Sequence, residues 1–293
     1  SLLKINKEMV ELAADVDKVL LMDSSGFNLP LAKKIKKKYP NKEIIYYILP
    51  QAWAWKQKRI PKIEAACDTL CSILPFEKDY YNVKEMIHYV GHPLLDEIKH
   101  LKENLTESNK IAFMPGSRKG EITKLLPIYK KISQQINKEA ILIIPPHFTD
   151  DYVKELYGDI SDFTISKNSH KTLEEVDFAF ICSGTATLEA ALIGTPFVLS
   201  YIAKSFDYFI VKNLIKIKYI GLANIFFDKM GKDPIHKEFI QNDVTVENLL
   251  NEYHSINTEK FLENSKILRN YLHSGSSKNV ANIINQTLSN NLL

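Results

Sequence analysis

Ser183, Gly184 and Thr185 stand where a short apolar run gives way to a helical pattern. The first N–H groups of a helix lack intrahelical acceptors, so together with nearby hydroxyls they can hold a diphosphate at the positive end of the helix. Glu189 comes about one helical turn after Thr185, where its carboxylate could accept both hydroxyls of a ribose. The spacing therefore favours a bound nucleotide diphosphate, and the structural alternative is an N-capping threonine with a solvent-facing glutamate.

A second anion-binding turn is predicted in "MPGSRKGEI", directly after the apolar run "KIAF". Gly116 and Ser117 make a tight turn before a helix, and the planar guanidinium of Arg118 is suited to phosphate oxygens. A Pro-Gly turn with a surface arginine and a capping serine explains the same residues on structural grounds. Because both turns fall in the same half of the chain, their combination favours nucleotide binding.

The elements that must position these turns follow from short apolar runs that alternate with amphipathic stretches. Four runs in the first hundred residues are predicted strands, and five more follow the polar segment "KHLKENLTESNK". Continuously apolar strands between helices are typical of parallel sheets covered on both faces. The predicted fold is α/β, with two Rossmann-like doubly wound domains, a boundary near residues 100–110 and a ligand site in the cleft between them, beyond the carboxyl ends of the strands.

Composition limits the classes of function. The chain has 293 residues, of which 45% are hydrophobic and 25% charged, and its net charge of +3 is too small to predict a nucleic-acid-binding protein. Cys67, Cys71 and Cys182 lack the spacing of a zinc site and favour a reducing compartment. No apolar run approaches the roughly 20 residues of a membrane span, and no signal peptide, Walker loop or GxSxG elbow is visible. We expect a cytoplasmic protein without a metal or cofactor.

Six segments occur in the order found in lipid-A-disaccharide synthases, which are inverting glycosyltransferases of the GT-B architecture. The segments are "YYILPQAWAWKQKRIPKI", "LPFEKDYY", "YVGHPLLDEI", "MPGSRKGEI", "SGTATLEAALIGTPFVLSY" and "FIQNDVT". The chain resembles this family from about Lys18 to near Ser277. The resemblance implies transfer of a diacylglucosamine from its UDP carrier to diacylglucosamine 1-phosphate, which gives UDP and the β-1,6-linked lipid A disaccharide 1-phosphate.

The resemblance also implies which residues bind the UDP-sugar. They are Gly116, Ser117, Arg118, Ser183, Gly184, Thr185, Glu189, Asn224, Glu238 and Gln241. The residues directly before Asn224 and Glu238 depart from the family pattern, because Ala223 and Lys237 stand where the family has prolines. Positive charge and helix dipoles at the diphosphate can replace a metal, so Arg118 is also predicted to be catalytic.

The acceptor hydroxyl needs a proton acceptor on the opposite face of the donor sugar. Where the family often has Asp-x-Pro-Asp-Phe-Asn, this chain has "DSSGFN", so Gly26 replaces the favoured base. Asp23 remains, at the predicted end of the strand "KVLL", either as the catalytic base or as a strand-end cap. His92, in "VGHP", is either a second cleft residue or a structural one.

By the same resemblance, residues 1–104 form the acceptor-side domain and residues 105–275 the UDP-sugar-binding domain. Residues 276–293 are expected to form a C-terminal helix that packs back on the first domain. That first domain is expected to be incomplete in this chain, because the family has further elements before the segment that contains Asp23.

Basic and apolar residues alternate over residues 201–227, and this pattern fits either a helix on a membrane surface or a core helix with solvated lysines. Trp53 and Trp55 are similarly open between packing and lipid contact. From the resemblance we expect a protein peripheral to the inner face of the inner membrane, with homodimerisation left open. The alternative functions are another UDP-sugar enzyme of the GT-B type, such as a peptidoglycan glycosyltransferase or an epimerase, and a catalytically inactive UDP-binding protein.

Overall fold

The structure is a computed structural model that describes residues 2–55, 57–104, 107–182, 184–202 and 218–289. The backbone divides into two compact units. Unit 1 comprises the residues up to Glu97 together with those from Tyr271 onward, and unit 2 comprises Ile98–Asn270. Each unit contains its own parallel β-sheet with helices between the strands, which is the α/β organisation that the sequence predicts.

Unit 1 contains a four-stranded sheet in the order β1-β2-β3-β4. Its elements are α1 (Leu2–Leu12), β1 (Lys18–Met22), α2 (Ser25–Lys38), β2 (Glu43–Tyr47), α3 (Ala52–Trp55), α4 (Ile60–Glu64), β3 (Thr69–Ser72), β4 (Ile87–Tyr89) and α5 (Pro93–Glu97). All four strands predicted in this part of the chain are present. The central strand β2 buries both of its faces, whereas Leu20 and Met22 of the edge strand β1 are exposed.

Unit 2 contains a six-stranded parallel sheet in the order β10-β9-β8-β5-β6-β7. Its elements are β5 (Lys110–Met114), α6 (Lys119–Ser133), β6 (Glu139–Ile143), α7 (Asp150–Tyr157), β7 (Thr164–Ser166), α8 (Ser169–Glu175), β8 (Phe178–Cys182), α9 (Thr185–Ile193), β9 (Phe197–Tyr201), α10 (Leu222–Lys229), β10 (Glu238–Ile240), α11 (Val246–Ser255) and α12 (Thr258–Leu272). The five strands predicted here are confirmed. The short strand β10, which pairs with β9, was not predicted.

A final helix, α13 (Ser276–Ser289), belongs to unit 1. Val280 packs with Tyr47 and Val90 in a small apolar cluster, and the hydroxyls of Tyr47 and Ser276 lie 2.8 Å apart. The chain therefore returns from unit 2 to complete the core of unit 1.

The core of unit 2 is aromatic. The rings of Phe113 on β5 and Phe180 on β8 stack with centroids 5.1 Å apart and planes only 8° from parallel. Helix α6 covers them with Ile122, Leu125 and Tyr129, whose spacing places them on one helical face. Burial of each such side chain contributes roughly 1.5–3 kcal/mol, so this contact fixes α6 and the turn before it against β5 and β8.

Glu77 is a buried acid in the core of unit 1. Glu77 is the first residue of a 3₁₀ turn, Glu77–Tyr80. Its side chain is only 1% exposed, and its Oε2 lies 2.5 Å from the hydroxyl oxygen of Ser72. Burial raises the pKa of Glu77 from 4.5 to about 7, although the hydrogen bond with Ser72 opposes this shift. The carboxyl group is therefore neutral in the folded protein below neutral pH.

We expect Glu77→Gln to stabilise the protein at pH 8 and to change little at pH 5. The folded state holds the carboxyl proton more tightly than the unfolded chain. The contribution of Glu77 to the free energy of unfolding is therefore complete below pH 4.5 and is lost as the pH rises through about 7. The amide is neutral throughout, and its advantage in the free energy of unfolding should reach roughly 3 kcal/mol at pH 8.

Urea unfolding curves at the two pH values measure this difference. Glu155→Gln is the matched control, because Glu155 is an exposed acid that lies 3.9 Å from Lys119. A gain in Glu77→Gln of the same size at both pH values would contradict the burial argument.

Candidate functional site

The strand order of unit 2 reverses between β5 and β8, which are hydrogen-bonded neighbours. From β5 the chain continues to β6 on one side, and from β8 it continues to β9 on the other. Connections that leave neighbouring parallel strands in opposite directions open a crevice at the carboxyl ends of those strands, and open α/β sheets bind ligands there.

A pocket of about 470 Å³ occupies this crevice. Its walls come from the turn after β5, the turn and helix start after β8, the end of β6 and the segment between β7 and α8. The predicted site residues among its lining are Gly116, Ser117, Arg118, Gly184, Thr185 and Glu189. Ser183 lies outside the described residues. The structure thus brings the two predicted turns together, and the volume is within the range of small-molecule sites.

The turn after β5 is built around Gly116, whose φ is +101°. A Cβ atom at this position would lie 2.5 Å from Oε2 of Glu121 and 3.2 Å from Sγ of Cys182. The same Glu121 accepts from the backbone N–H of Arg118 at 3.3 Å, which caps the start of α6. Only glycine lets the chain pass this close to a capping carboxylate.

Arg118 stands at the rim of the pocket. Its side chain is 79% exposed, yet its Nη1 donates to Oε1 of Glu121 at 2.8 Å. This hydrogen bond and the charge of Glu121 raise the pKa of Arg118. Glu121 therefore orients a permanent cation toward a pocket that begins at the N-terminus of α6, where a phosphate would find both the guanidinium and the helix dipole.

Helix α9 begins with Gly184 as its N-cap, and the side chain of Thr187 donates to the carbonyl oxygen of Gly184 at 2.8 Å. Gly184 and Thr185 are exposed to the pocket, whereas every residue from Thr187 to Ile193 is buried. Glu189 is the one acid in this otherwise uncharged helix. Its solvent exposure is 8%, so the predicted solvent-facing alternative is wrong.

Two residues at the start of α8 contact the carboxylate of Glu189. The hydroxyl of Ser169 donates to Oε1 at 3.0 Å, and Nδ1 of His170 lies 2.9 Å from the same oxygen. The histidine contact has the distance of an ion pair but not the angle of a hydrogen bond. Neither contact was predicted, because a serine and a histidine before an amphipathic stretch resemble an ordinary helix start.

The other end of α9 is fixed by Arg269 of α12. Its guanidinium donates to the carbonyl oxygens of Leu192 and Ile193 at 2.7 and 2.9 Å. These carbonyls have no acceptor role within the helix, and a cation at a helix C-terminus is favourable. The helix that carries Glu189 is therefore held at both ends.

Asn224 and Glu238 do not line this pocket in the part of the chain that the structure describes. Glu238 accepts from the backbone N–H groups of Ile220 and Gly221 and from the side chain of Asn224, at 2.8, 3.0 and 2.8 Å. Burial raises the pKa of Glu238, and these hydrogen bonds oppose the shift. The three donors tie Glu238 to the residues that lead into α10, so in this structure the pair fixes the segment before that helix, beside β9.

Gln241, the last residue of the predicted nucleotide set, follows β10 and opens a 3₁₀ turn. Its backbone has φ +57°, and its carbonyl oxygen accepts from the N–H of Val244 at 3.1 Å. It is likewise not among the described residues that line the pocket.

Asp23 lies in unit 1, at the carboxyl end of β1. Asp23 and Ser24 have φ values of +48° and +41°, which is a strained conformation for residues other than glycine. The side chain of Asn28 holds this turn by donating to the carbonyl oxygens of Met22 and Asp23, both at 2.9 Å. Asp23 lines a separate pocket of about 280 Å³ together with Arg59.

His92 lies directly before α5 and is buried. It is 6% exposed, its Nδ1 accepts from the backbone N–H of Leu94 at 3.3 Å, and burial lowers its pKa to about 4. Trp53 is also buried, and its ring meets that of Phe76 edge-on at 4.9 Å. Packing rather than lipid contact therefore accounts for Trp53, and the side chain of Trp55 lies outside the described residues.

The basic and apolar segment that begins at Tyr201 falls mostly on residues 203–217, which lie outside the described residues. Within the described ranges, no helix combines the length and apolar character that crossing a bilayer requires. In those same ranges, no three His, Cys, Asp or Glu side chains converge as metal ligands.

Comparison with known proteins shows the family of this chain. The family model described as lipid-A-disaccharide synthetase matches residues 1–289. The chain is 52% identical over 294 residues to the lipid-A-disaccharide synthase of Helicobacter pylori, and the match covers 96% of this chain and 81% of that protein. The chain belongs to the lipid-A-disaccharide synthase family. The enzyme of Campylobacter jejuni is 50% identical over 97% of this chain and 79% of its own length.

Solved structures agree on the architecture. The UDP co-structure of MnaA from S. aureus aligns with a TM-score of 0.62 over 99% of this chain and 82% of that chain, at 11% identity. At that identity the likeness concerns the fold alone, and the fold is of the GT-B type. The predicted family, fold class and glycosyltransferase activity are thereby confirmed.

We expect Gly116→Ala to destabilise the protein by about 1–3 kcal/mol, because alanine disfavours the positive φ of this position and its methyl group displaces the Glu121 carboxylate. Gly120→Ala is the matched control two helical positions away from the cap, since a Cβ there meets nothing within 4 Å. That change should be neutral or stabilise by up to about 1 kcal/mol. Thermal unfolding measures both, and equal stability of the two variants would refute the close-packed turn.

Proposed function

We propose that this enzyme transfers a diacylglucosamine from UDP to the 6-hydroxyl of diacylglucosamine 1-phosphate. The products are UDP and the β-1,6-linked lipid A disaccharide 1-phosphate. The observation that carries the proposal is the convergence of Arg118 and Glu189 on one pocket at the reversal of strand order. Family membership supplies the reaction class, and this pocket supplies groups suited to its nucleotide.

In this proposal the diphosphate of the donor lies between the starts of α6 and α9. Gly116 and Ser117 in the turn before α6, and Gly184 and Thr185 at the start of α9, surround it with backbone N–H groups, and Ser183 is assigned to the second of these turns by sequence. Arg118 neutralises the charge that develops on UDP as the glycosidic bond breaks. A fixed cation and two helix dipoles stabilise this leaving group without reorganising at the moment of reaction.

Glu189 is assigned to the ribose. It lies about one helical turn beyond the phosphate-binding turn, and its carboxylate can accept hydrogen bonds from both ribose hydroxyls. Asn224, Glu238 and Gln241 are proposed to act on the nucleotide through the loop that they build beside β9, next to β8. Their hydrogen bonds within that loop support this indirect role.

We assign the catalytic base to Asp23. It terminates β1 at the carboxyl edge of the sheet in unit 1, and its strained turn is held by Asn28 and by the hydroxyl of Tyr46. Strain that neighbouring side chains maintain is typical of functional positions. The acceptor sugar and its phosphate are assigned to unit 1, because the proposed base lies there.

Association with the inner face of the inner membrane and homodimerisation also belong to this proposal, as predictions from the family resemblance.

A release assay for UDP tests the reaction. With UDP-diacylglucosamine and diacylglucosamine 1-phosphate, we expect stoichiometric UDP and disaccharide, and with UDP-N-acetylglucosamine as the donor, little or no product. Arg118→Ala should reduce the rate by about 10²–10³-fold, because it removes one charge-stabilising donor. Lys154→Ala, which removes a cation from α7 outside the pocket lining, is the matched control. Turnover of only the simple sugar would favour another UDP-sugar enzyme of this fold.

Calorimetric titration with UDP tests the nucleotide pocket separately from the lipid chemistry. We expect Glu189→Gln to weaken UDP binding by about 10–100-fold, which corresponds to roughly 1.5–3 kcal/mol for a hydrogen bond to a charged group. Glu175→Gln is the control, because this exposed acid on α8 contacts Lys110 and Lys171 outside the pocket. Unchanged affinity in Glu189→Gln would remove the ribose assignment.

The second candidate function is a UDP-binding protein that no longer catalyses transfer. The specific observation in its favour is Gly26, which stands where the family often has an aspartate. UDP binding without any disaccharide formation would support this alternative. Disaccharide formation that is lost in Asp23→Asn, with UDP affinity retained, would support the enzyme and its assigned base.

A further inference from the structure

The first turn of α8 contacts the carboxylate of Glu189. Ser169 Oγ and His170 Nδ1 lie 3.0 and 2.9 Å from the same oxygen, Oε1. Ser169 lines the pocket with Glu189, whereas His170 is not among the described lining residues. Both residues belong to a different helix from the carboxylate, so their contacts tie the start of α8 to the second turn of α9.

This contact restricts how the carboxylate can be oriented. A glutamate side chain that is 8% exposed and held at Oε1 loses most of its rotational freedom before any ligand arrives. A carboxylate that is already oriented binds hydroxyl groups with a smaller entropic cost.

We propose that Ser169 and His170 are positioning residues that make the pocket selective for a ribonucleotide over the 2′-deoxyribonucleotide. The inference rests on the proposed function, in which Glu189 accepts the ribose hydroxyls. Two correctly placed hydroxyls gain from a fixed carboxylate, and a sugar with one hydroxyl gains less. Removal of the positioning contacts therefore weakens binding of the ribonucleotide more than binding of the deoxyribonucleotide.

The chain offers variants that separate the polar contact from the shape of the side chain. His170→Phe keeps an aromatic ring and removes the nitrogen that lies beside Oε1, whereas His170→Asn places an amide nitrogen near the former Nδ1. Ser169→Ala removes the hydroxyl donor with the loss of a single oxygen. His254→Phe is the matched control, because His254 is an exposed histidine on α11 that does not line the pocket.

The measurement is calorimetric affinity for UDP and for 2′-deoxy-UDP with the full chain. We expect the wild type to prefer UDP, and His170→Phe to lose about tenfold in UDP affinity while 2′-deoxy-UDP changes by less than about threefold. Ser169→Ala should shift the preference in the same direction. His170→Asn should restore most of the preference, and His254→Phe should keep the wild-type values.

A double-mutant cycle tests whether the effect passes through Glu189. In the Glu189→Ala background, His170→Phe should have no further effect on the preference, because the carboxylate that it positions is gone. An additive loss in the double variant would overturn the inference. So would a wild-type preference that persists in both His170→Phe and Ser169→Ala, provided that their thermal unfolding matches the wild type.

The outcomes also distinguish this inference from the proposed function. If the wild type prefers UDP and Glu189→Gln loses that preference while the α8 variants keep it, the ribose role stands and the positioning role is refuted. If the wild type does not bind UDP, or binds both nucleotides equally, the ribose assignment and the positioning role are refuted together.

Discussion

The reversal of strand order between β5 and β8 is the constraint on which the rest of the nucleotide pocket depends. Because these neighbouring strands send the chain to opposite sides, their following turns separate and leave a crevice at the carboxyl edge. Each turn starts a helix, so two positive helix ends meet across the same space. Neither "GSR" nor "SGT" would be more than an ordinary loop if the strands that carry them were not adjacent.

The placement of Glu189 shows what this geometry requires of the sequence. A carboxylate in a helix whose surroundings are apolar is unfavourable unless hydrogen bonds or charges compensate its lost hydration. Ser169 and His170 supply part of that compensation, while Gly184 and Arg269 fix the two ends of the helix. An apolar residue at position 189 would stabilise the fold more than Glu189 does, but it would place no charged group in the pocket. Such a loss of stability is common at functional sites.

Motif residues in this protein fall into two physical classes. Arg118 and Glu189 present charged groups to the pocket. Asn224 and Glu238 instead form hydrogen bonds with each other, and Glu238 also accepts from the backbone before α10. A resemblance in sequence marks both classes equally, because either kind of residue is costly to replace. Only the hydrogen-bond partners separate a residue that faces a ligand from one that shapes the loop beside it.

The strands and the helix starts of this protein can be predicted from its sequence alone. Apolar runs such as "KIAF" and "FAFIC" predict buried parallel strands because both faces must be covered, and the Gly-Ser-Arg and Ser-Gly-Thr turns are local signals that indicate helix starts. Tertiary structure decided which turns share a pocket, since strand adjacency is set by packing between distant segments such as Phe113 and Phe180. It also decided the contacts of Glu189 with α8, the hydrogen bonds between Glu238 and the residues that lead into α10, and the strained turn at Asp23. Those features depend on distances between residues that no local pattern in the chain encodes.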